Sequence, residues 1–363
     1  MRLPDLVARL IRERGPLDIA TYMQLALGHP TLGYYATREP FGAAGDFVTA
    51  PELSQVFGEL LGLCLARYWQ ELGRPDPALL VELGPGRGTL MADAWRATRR
   101  VAGFHGAIRL HLVETSPRLR ALQAERLAGT AARWHDDLAE LPDGLPLLLI
   151  ANELLDALPV RQFERTRAGW RERLVTLDGA DRLAFALAPG ISPYTAELMR
   201  RHGGAPLGRI VELSPAREAL VTAIARRLAQ DGGLALLVDY GALQLDGPTL
   251  QAVRGHGRAD PLDAPGEVDL SAHVAFADLA VAAQGAGARV WGPLAQGELL
   301  TRLGAALRLE QLCAARPTAA AQLRQGLARL IDPAQMGQLF LALALTGDGP
   351  VPPGFTAAER RAT

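Results

Sequence analysis

Ala78-Leu-Leu-Val-Glu-Leu-Gly-Pro-Gly-Arg-Gly-Thr-Leu90 joins an apolar run to three alternating glycines. Leu79–Val81 is a short apolar run, long enough for a strand buried on both faces. Gly84, Gly86 and Gly88 follow at alternate positions, and Thr89–Arg100 is rich in helix formers. Strand, glycine turn and helix N-terminus make the first half of a nucleotide-type α/β unit. The glycines let a ligand approach the backbone, and the free N–H groups of the helix face an anion.

The spacing separates the candidate ligands. A dinucleotide fingerprint is G-x-G-x-x-G, whereas this turn is G-x-G-x-G with an acid, Glu82, just before it. A P-loop requires a lysine, and the chain contains none. An acid at the strand end repels a pyrophosphate and suits a cationic ligand. The methionine part of S-adenosylmethionine (SAM) answers both demands, with its α-ammonium near Glu82 and its carboxylate near the helix N-terminus. A plain glycine-rich turn is the alternative that the rest of the chain must displace.

A chain of 363 residues leaves room for one large α/β domain with additions, or for two domains. Apolar residues make up 49% and charged residues 21%, the balance of a globular chain. A formal net charge of −1 gives no electrostatic case for nucleic acid as partner. Cys64 and Cys313 lie in apolar helical contexts without metal-ligand spacing, so buried, reduced thiols and no metal site are expected. No apolar run reaches the roughly 18–20 residues needed to span a bilayer. All 38 basic residues are arginine, which excludes Schiff-base and lysine-base chemistry. The arginine-bearing start suggests a mitochondrial presequence, but Asp5 and Glu13 argue against it and Leu3–Arg14 already reads as a helix. A bacterial cytoplasmic protein is the expectation, and the composition leaves room for a homo-oligomer.

Leu3–Arg14 and a second helix capped by Asp18 open the chain. Pro30–Pro51 is a long irregular stretch rich in aromatics, which makes it a functional loop rather than a linker. Glu52–Leu72 reads as one helix, with Gly58 and Gly62 for close packing. After the first strand come strand candidates at Ile108–Val113, Ala132–His135, Leu145–Ala151 and Leu234–Val238, with helices at Pro117–Leu127 and Pro215–Ala229. Period-two segments within 160–208 predict an inserted antiparallel hairpin or meander, and 242–269 a second, polar insertion. Leu270–Ala283 and Leu299–Cys313 read as helices around a strand at Ala288–Trp291, and Leu339–Leu345 as a last strand. The expected organisation is an N-terminal helical region at 1–77 with a lid loop at 30–55, a main domain at 78–346, and a tail at 347–363.

Alternating strands and helices imply a mostly parallel sheet with ligands at the strand C-termini. Acids sit at those ends in succession: Glu82, Glu114, Asp136-Asp137, Glu153 and Asp239. Glu114 falls near the place, roughly 20 residues past the turn, where a ribose-binding acid belongs. Asp136 or Asp137 can then accept from the adenine amino group.

With these residues placed, the chain resembles the class I SAM-dependent methyltransferases, and more narrowly the MidA-like family. That family includes the mitochondrial arginine methyltransferase needed for assembly of respiratory complex I. The matching stretches are Gly45–Glu59, Glu82–Leu90, Val113–Pro117, Asn152-Glu-Leu-Leu-Asp-Ala-Leu-Pro159, Asp239–Gly241, Asp260-Pro261 with Pro265–Glu267, and Asp269–Val274. The glycine turn is generic to methyltransferases, whereas Gly45–Glu59 and Asn152–Pro159 are specific. Ala275 and Ala295–Leu300 depart from the family pattern, which bears on the substrate rather than on SAM.

The resemblance implies a Rossmann-like class I methyltransferase fold, SAM as cofactor and a protein acceptor such as a complex I subunit. It places acceptor-binding acids at Glu153 and Asp156, after strand four. A guanidinium stays protonated in water, so methylating it requires carboxylates that orient it and receive a proton. For Asp156 a helix cap is the competing role, and for Asn152 a loop role competes with cofactor binding. Asp46, Thr49, Glu52, Ser54 and Gln55 form a candidate lid over the cofactor, with helix capping by Thr49 or Ser54 as the alternative. His256 and His273 read as structural. A methyltransferase for a small molecule, a SAM-binding assembly factor with little turnover and, more distantly, a dinucleotide dehydrogenase are the other readings.

Overall fold

The computed structural model describes residues 2–38, 49–255 and 257–362. Seven strands form its central sheet: β1 (Ala78–Leu83), β2 (Ile108–Val113), β3 (Arg133–His135), β4 (Leu147–Asn152), β5 (Gly233–Ala242), β6 (Arg289–Ala295) and β7 (Phe340–Thr346). Their order is β6-β7-β5-β4-β1-β2-β3, and Val274–Ala275 adds a short parallel pairing at the end of β5. The β3-β2-β1-β4-β5 run is parallel throughout, and β7 is antiparallel to both its neighbours. Every residue of β1 and of β4 is buried, as their leucine-rich runs predict for strands covered on both faces. Strand order reverses between β1 and β4, so the ligand crevice of such a sheet opens at their C-terminal ends.

The expected α/β class with a mostly parallel sheet is what the chain adopts. Gln55–Glu71 packs on Thr89–Thr98 through its glycines. A Cβ at Gly58 would lie 2.8 Å from Leu90 O, and one at Gly62 would lie 2.6 Å from Ala94 Cα. Neither backbone can yield, so both positions require glycine.

The described residues divide into two units. The first, from segments 48–155, 219–243 and 274–363, holds the central sheet. The second gathers segments 1–47, 156–218 and 244–273. In it the helices Leu3–Arg14 and Ile19–Gly28 share a core with both insertions, through Tyr22, Val160, Val175, Ala252 and Leu270. Asp18 caps its helix, accepting a 2.8 Å bond from Thr21 N. The 160–208 insertion supplies the expected meander, Arg161–Thr166, Gly169–Leu177 and Leu183–Leu187, and Gln251–Arg254, Gly257–Ala259 and Asp269–Ser271 form a small antiparallel sheet. This grouping differs from a linear division at residue 77, because Gln55–Glu71 belongs with the sheet and the first two helices do not.

Three helices differ from expectation for local reasons. The predicted Glu52–Leu72 helix is two, Ala50–Leu53 and Gln55–Glu71, divided where Ser54 turns extended and caps the second. Leu270–Ala283 begins as strand because Asp269–Ser271 pairs with Gln251–Val253, and its helix is Phe276–Gly285. Leu299–Cys313 is broken at Gly304, whose φ of 94° lies in the left-handed region.

Candidate functional site

The turn after β1 runs through Gly84, Gly86 and Gly88 at φ of 61°, 52° and 77°. All three lie in the left-handed region that side chains disfavour, which is why the sequence alternates glycine here. At Gly84 a Cβ would also meet Leu154 Cδ1 at 2.8 Å. The turn delivers the chain into Thr89–Thr98, whose first N–H groups point back toward the strand ends.

Glu82 lies beside this turn and is 3% exposed. Its Oε2 has no hydrogen-bond partner among the described residues. Burial pushes its carboxyl up to about 8, with the Glu114 carboxylate adding to the shift and the Met91 amide opposing it. A buried carboxylate oxygen with nothing to bond is costly unless a cation completes it. The α-ammonium of SAM is such a cation, so the residues present fit the methionine end of that cofactor.

Glu114, just past β2, accepts bonds from Ser116 N at 2.8 Å and from Gln123 Nε2 at 3.2 Å. Burial raises its pKa, opposed by those donors. After β3 the two acids separate in role. Asp136 is exposed and pairs with Arg120 at 2.6 Å, whereas Asp137 accepts Ala139 N at 2.8 Å and caps a short 3-10 turn. Asn152 ends β4, donates to Glu153 Oε1 at 3.0 Å and keeps a buried Oδ1 without a partner among the described residues.

Glu153 is one of the few non-glycine residues at positive φ, 50°. Backbone held there costs on the order of 1–3 kcal/mol and persists only where the surroundings enforce it. Here Glu153 N is fixed to Val238 O of β5 at 2.9 Å. The carboxylate then accepts Ala50 N at 3.0 Å, at the N-terminus of Ala50–Leu53. That short helix is held at its other end by Glu52, which accepts from Thr89 Oγ1 and lies 3.9 Å from Arg87 and 3.6 Å from Arg126. The described end of the expected lid therefore bridges the acid after β4 and the start of the helix after the glycine turn.

The other candidate lid residues have mixed roles. Thr49 is the N-cap residue of Ala50–Leu53 without a side-chain cap bond, and Ser54 spends its hydroxyl on Val56 N. Gln55 bonds Glu59 at 3.0 Å. Asp46 and His256 lie outside the described residues. Residues 153–160 form turns rather than a helix, so Asp156 caps no helix start there. Its carbonyl receives Arg217 Nη2 at 3.3 Å and Ala272 N at 3.0 Å, within the second unit. His273 is half-buried, with burial lowering its pKa. Asp239 is fully buried and accepts Leu155 N at 2.8 Å, which fixes the turn after β4.

Sequence reasoning missed two buried side chains. Gln123 bonds Gly86, Glu114 and Trp134, and Glu59, on the Gln55–Glu71 helix, gathers Arg96, Arg308 and Gln55. Only Glu59 carried a signal, as an acid on an otherwise apolar helix face. Among the described residues no cluster of His, Cys, Asp or Glu could hold a metal, and no helix is long and apolar enough to cross a membrane.

A family of S-adenosyl-L-methionine-dependent methyltransferases has a profile that matches residues 60–294. The mitochondrial protein arginine methyltransferase NDUFAF7 of Mus musculus is 38% identical over 363 residues, which span 92% of this chain and 82% of that one. Its Drosophila melanogaster homologue is 37% identical, over 96% of this chain and 84% of its own. A Burkholderia thailandensis protein solved with S-adenosyl-homocysteine superposes with a TM-score of 0.86 at 29% identity, covering 99% of this chain and 95% of that one.

Proposed function

The chain belongs to the S-adenosyl-L-methionine-dependent methyltransferase family, and from that premise we propose that its acceptor is an arginine side chain on a protein partner. The observation that carries this reading is Glu153, a carboxylate held in strained backbone at the switch point of the sheet. The relatives named protein arginine methyltransferases support it. When bound, the cofactor supplies a methyl group on a sulfonium centre. We assign its ammonium to Glu82, its carboxylate to the turn of Gly84, Gly86 and Gly88, its ribose to Glu114 and its adenine to Asp136 or Asp137, with Asn152 beside it.

Glu153 then orients the guanidinium by charge-assisted hydrogen bonds and takes up the proton that transfer releases. To do so its carboxylate exchanges the Ala50 amide for the acceptor. Asp156 is the second candidate acid on chemical grounds. Thr49–Glu52 covers the cofactor as part of a lid. A subunit of respiratory complex I is the acceptor that the family resemblance implies. A bacterial cytoplasmic location also belongs to this proposal.

The test is incubation with methyl-labelled SAM and cell lysate, then identification of the labelled species. Label on an arginine of a protein is expected; label in a small-molecule fraction, or in no product, would overturn the reading. Glu153→Gln and Asp156→Asn should keep affinity for SAM while single-turnover methylation falls by roughly 10²–10⁴-fold, the scale of a lost positioned base. Full activity in both would move the acceptor site elsewhere.

A further inference from the structure

Gln123 lies on the helix Pro117–Arg126 and is fully buried. Its Nε2 donates to Gly86 O at 2.7 Å and to Glu114 Oε2 at 3.2 Å, and its Oε1 accepts Trp134 Nε1 at 2.8 Å. Chemistry fixes the orientation of the amide. An indole N–H only donates, and a carbonyl and a carboxylate only accept, so a flipped amide would break all three bonds. Both donors of the Nε2 are used. The three partners belong to three different loops or strands: the turn after β1, the acid after β2, and β3 itself. Packing alone would be served by leucine at such a position, since a buried amide is tolerated only when it is satisfied. Gly88 completes the seat, because a Cβ there would press on Gln123 Cγ at 3.3 Å.

We propose that Gln123 is a positioning residue for cofactor binding, one that fixes the glycine turn and Glu114 against Trp134 and so sets the separation between the two grips on the ligand. This rests on the reading that the turn and Glu114 hold the cofactor. Gln123 touches no reacting atom. It acts by holding Gly86 and Glu114 where one molecule can engage both.

Gln123→Glu tests it. The introduced carboxylate still accepts from Trp134, but when ionised it cannot donate to Gly86 and it repels Glu114. Once protonated, it regains one donor and loses its charge, so it can bond Gly86 or Glu114 and no longer repels the latter. Affinity for S-adenosyl-homocysteine, measured calorimetrically for parent and variant from pH 5.5 to 8.5, should be weaker in the variant by roughly 10–100-fold at pH 8. That ratio should fall toward unity as the pH is lowered, a recovery that a merely structural defect would not give. A ratio near one at pH 8, or one independent of pH, overturns the proposal. A parent that binds no S-adenosyl-homocysteine overturns the cofactor reading and this inference with it. If the variant does not fold, Gln123→Met carries the test. It should lose more affinity for S-adenosyl-homocysteine than for adenosine, because only the former spans both grips; equal losses would refute the positioning role.

Discussion

With the ammonium of the ligand assigned to Glu82, the raised pKa of that carboxyl predicts proton-coupled binding. Burial holds the folded carboxyl at about 8 against an ordinary value of 4.5. A raised folded pKa means that the ligand-free protein prefers the protonated form. Its stabilising effect is complete below the unfolded value and is lost as the pH rises through about 8. The full difference is worth about 5 kcal/mol at 1.36 kcal/mol per pKa unit. A ligand ammonium demands the ionised form, so binding at about pH 7 and below must expel close to one proton. The competent fraction is about one in a hundred at pH 6 and about half at pH 8, so the dissociation constant should tighten roughly 50-fold between them. Calorimetry of S-adenosyl-homocysteine at pH 6, 7 and 8, in buffers of different ionisation enthalpy, reads the affinity and the released proton together. Glu82→Gln should bind weakly with a flat profile. Equal affinity of the parent at pH 6 and pH 8, with no buffer-dependent heat, would refute the assignment of the ammonium to Glu82.

Two further outcomes are expected. Gly86→Val should abolish binding of S-adenosyl-homocysteine, because a β-branched residue at a φ of 52° distorts the turn; retained affinity in a titration would remove the turn from the site. Glu114→Ala should weaken binding by about 2–3 kcal/mol, the scale of lost charge-assisted bonds, with only a modest drop in melting temperature; normal binding with a large drop would make Glu114 a structural acid.

The sheet was legible in the sequence because its strands announce themselves twice, by apolar runs and by the acids that end them. Glu114, Asp136-Asp137 and Glu153 fall just past a strand end, whereas Glu82 lies one residue before the end of β1 and Asp239 three before the end of β5, both buried. Capping by Asp18 was equally plain, being a contact three residues long. What stayed hidden depends on distance in sequence. Nothing local in Ser54 says that the chain turns extended there, and nothing in Gln123 separates it from any glutamine on a polar helix. The bond of Glu153 to Ala50 joins residues 103 apart, so the docking of Ala50–Leu53 had no signature in either segment. The second unit was illegible for the same reason, because its core is assembled from three stretches that look like a start and two insertions.

That assembly has a consequence for the order in which the chain can fold during synthesis. Tyr22, buried on the second helix, donates to Pro261 O at 2.6 Å, across 239 residues. At roughly 5–20 residues per second, a ribosome needs on the order of ten to fifty seconds to produce the second partner after the first. For that interval the apolar faces of Leu3–Arg14 and Ile19–Gly28 lack the residues at 250–272 that help bury them, while β1 to β4 can already pair. The first segment made is thus among the last to settle, and it waits with Leu6, Val7, Ile11 and Met23 open to whatever else binds apolar helices.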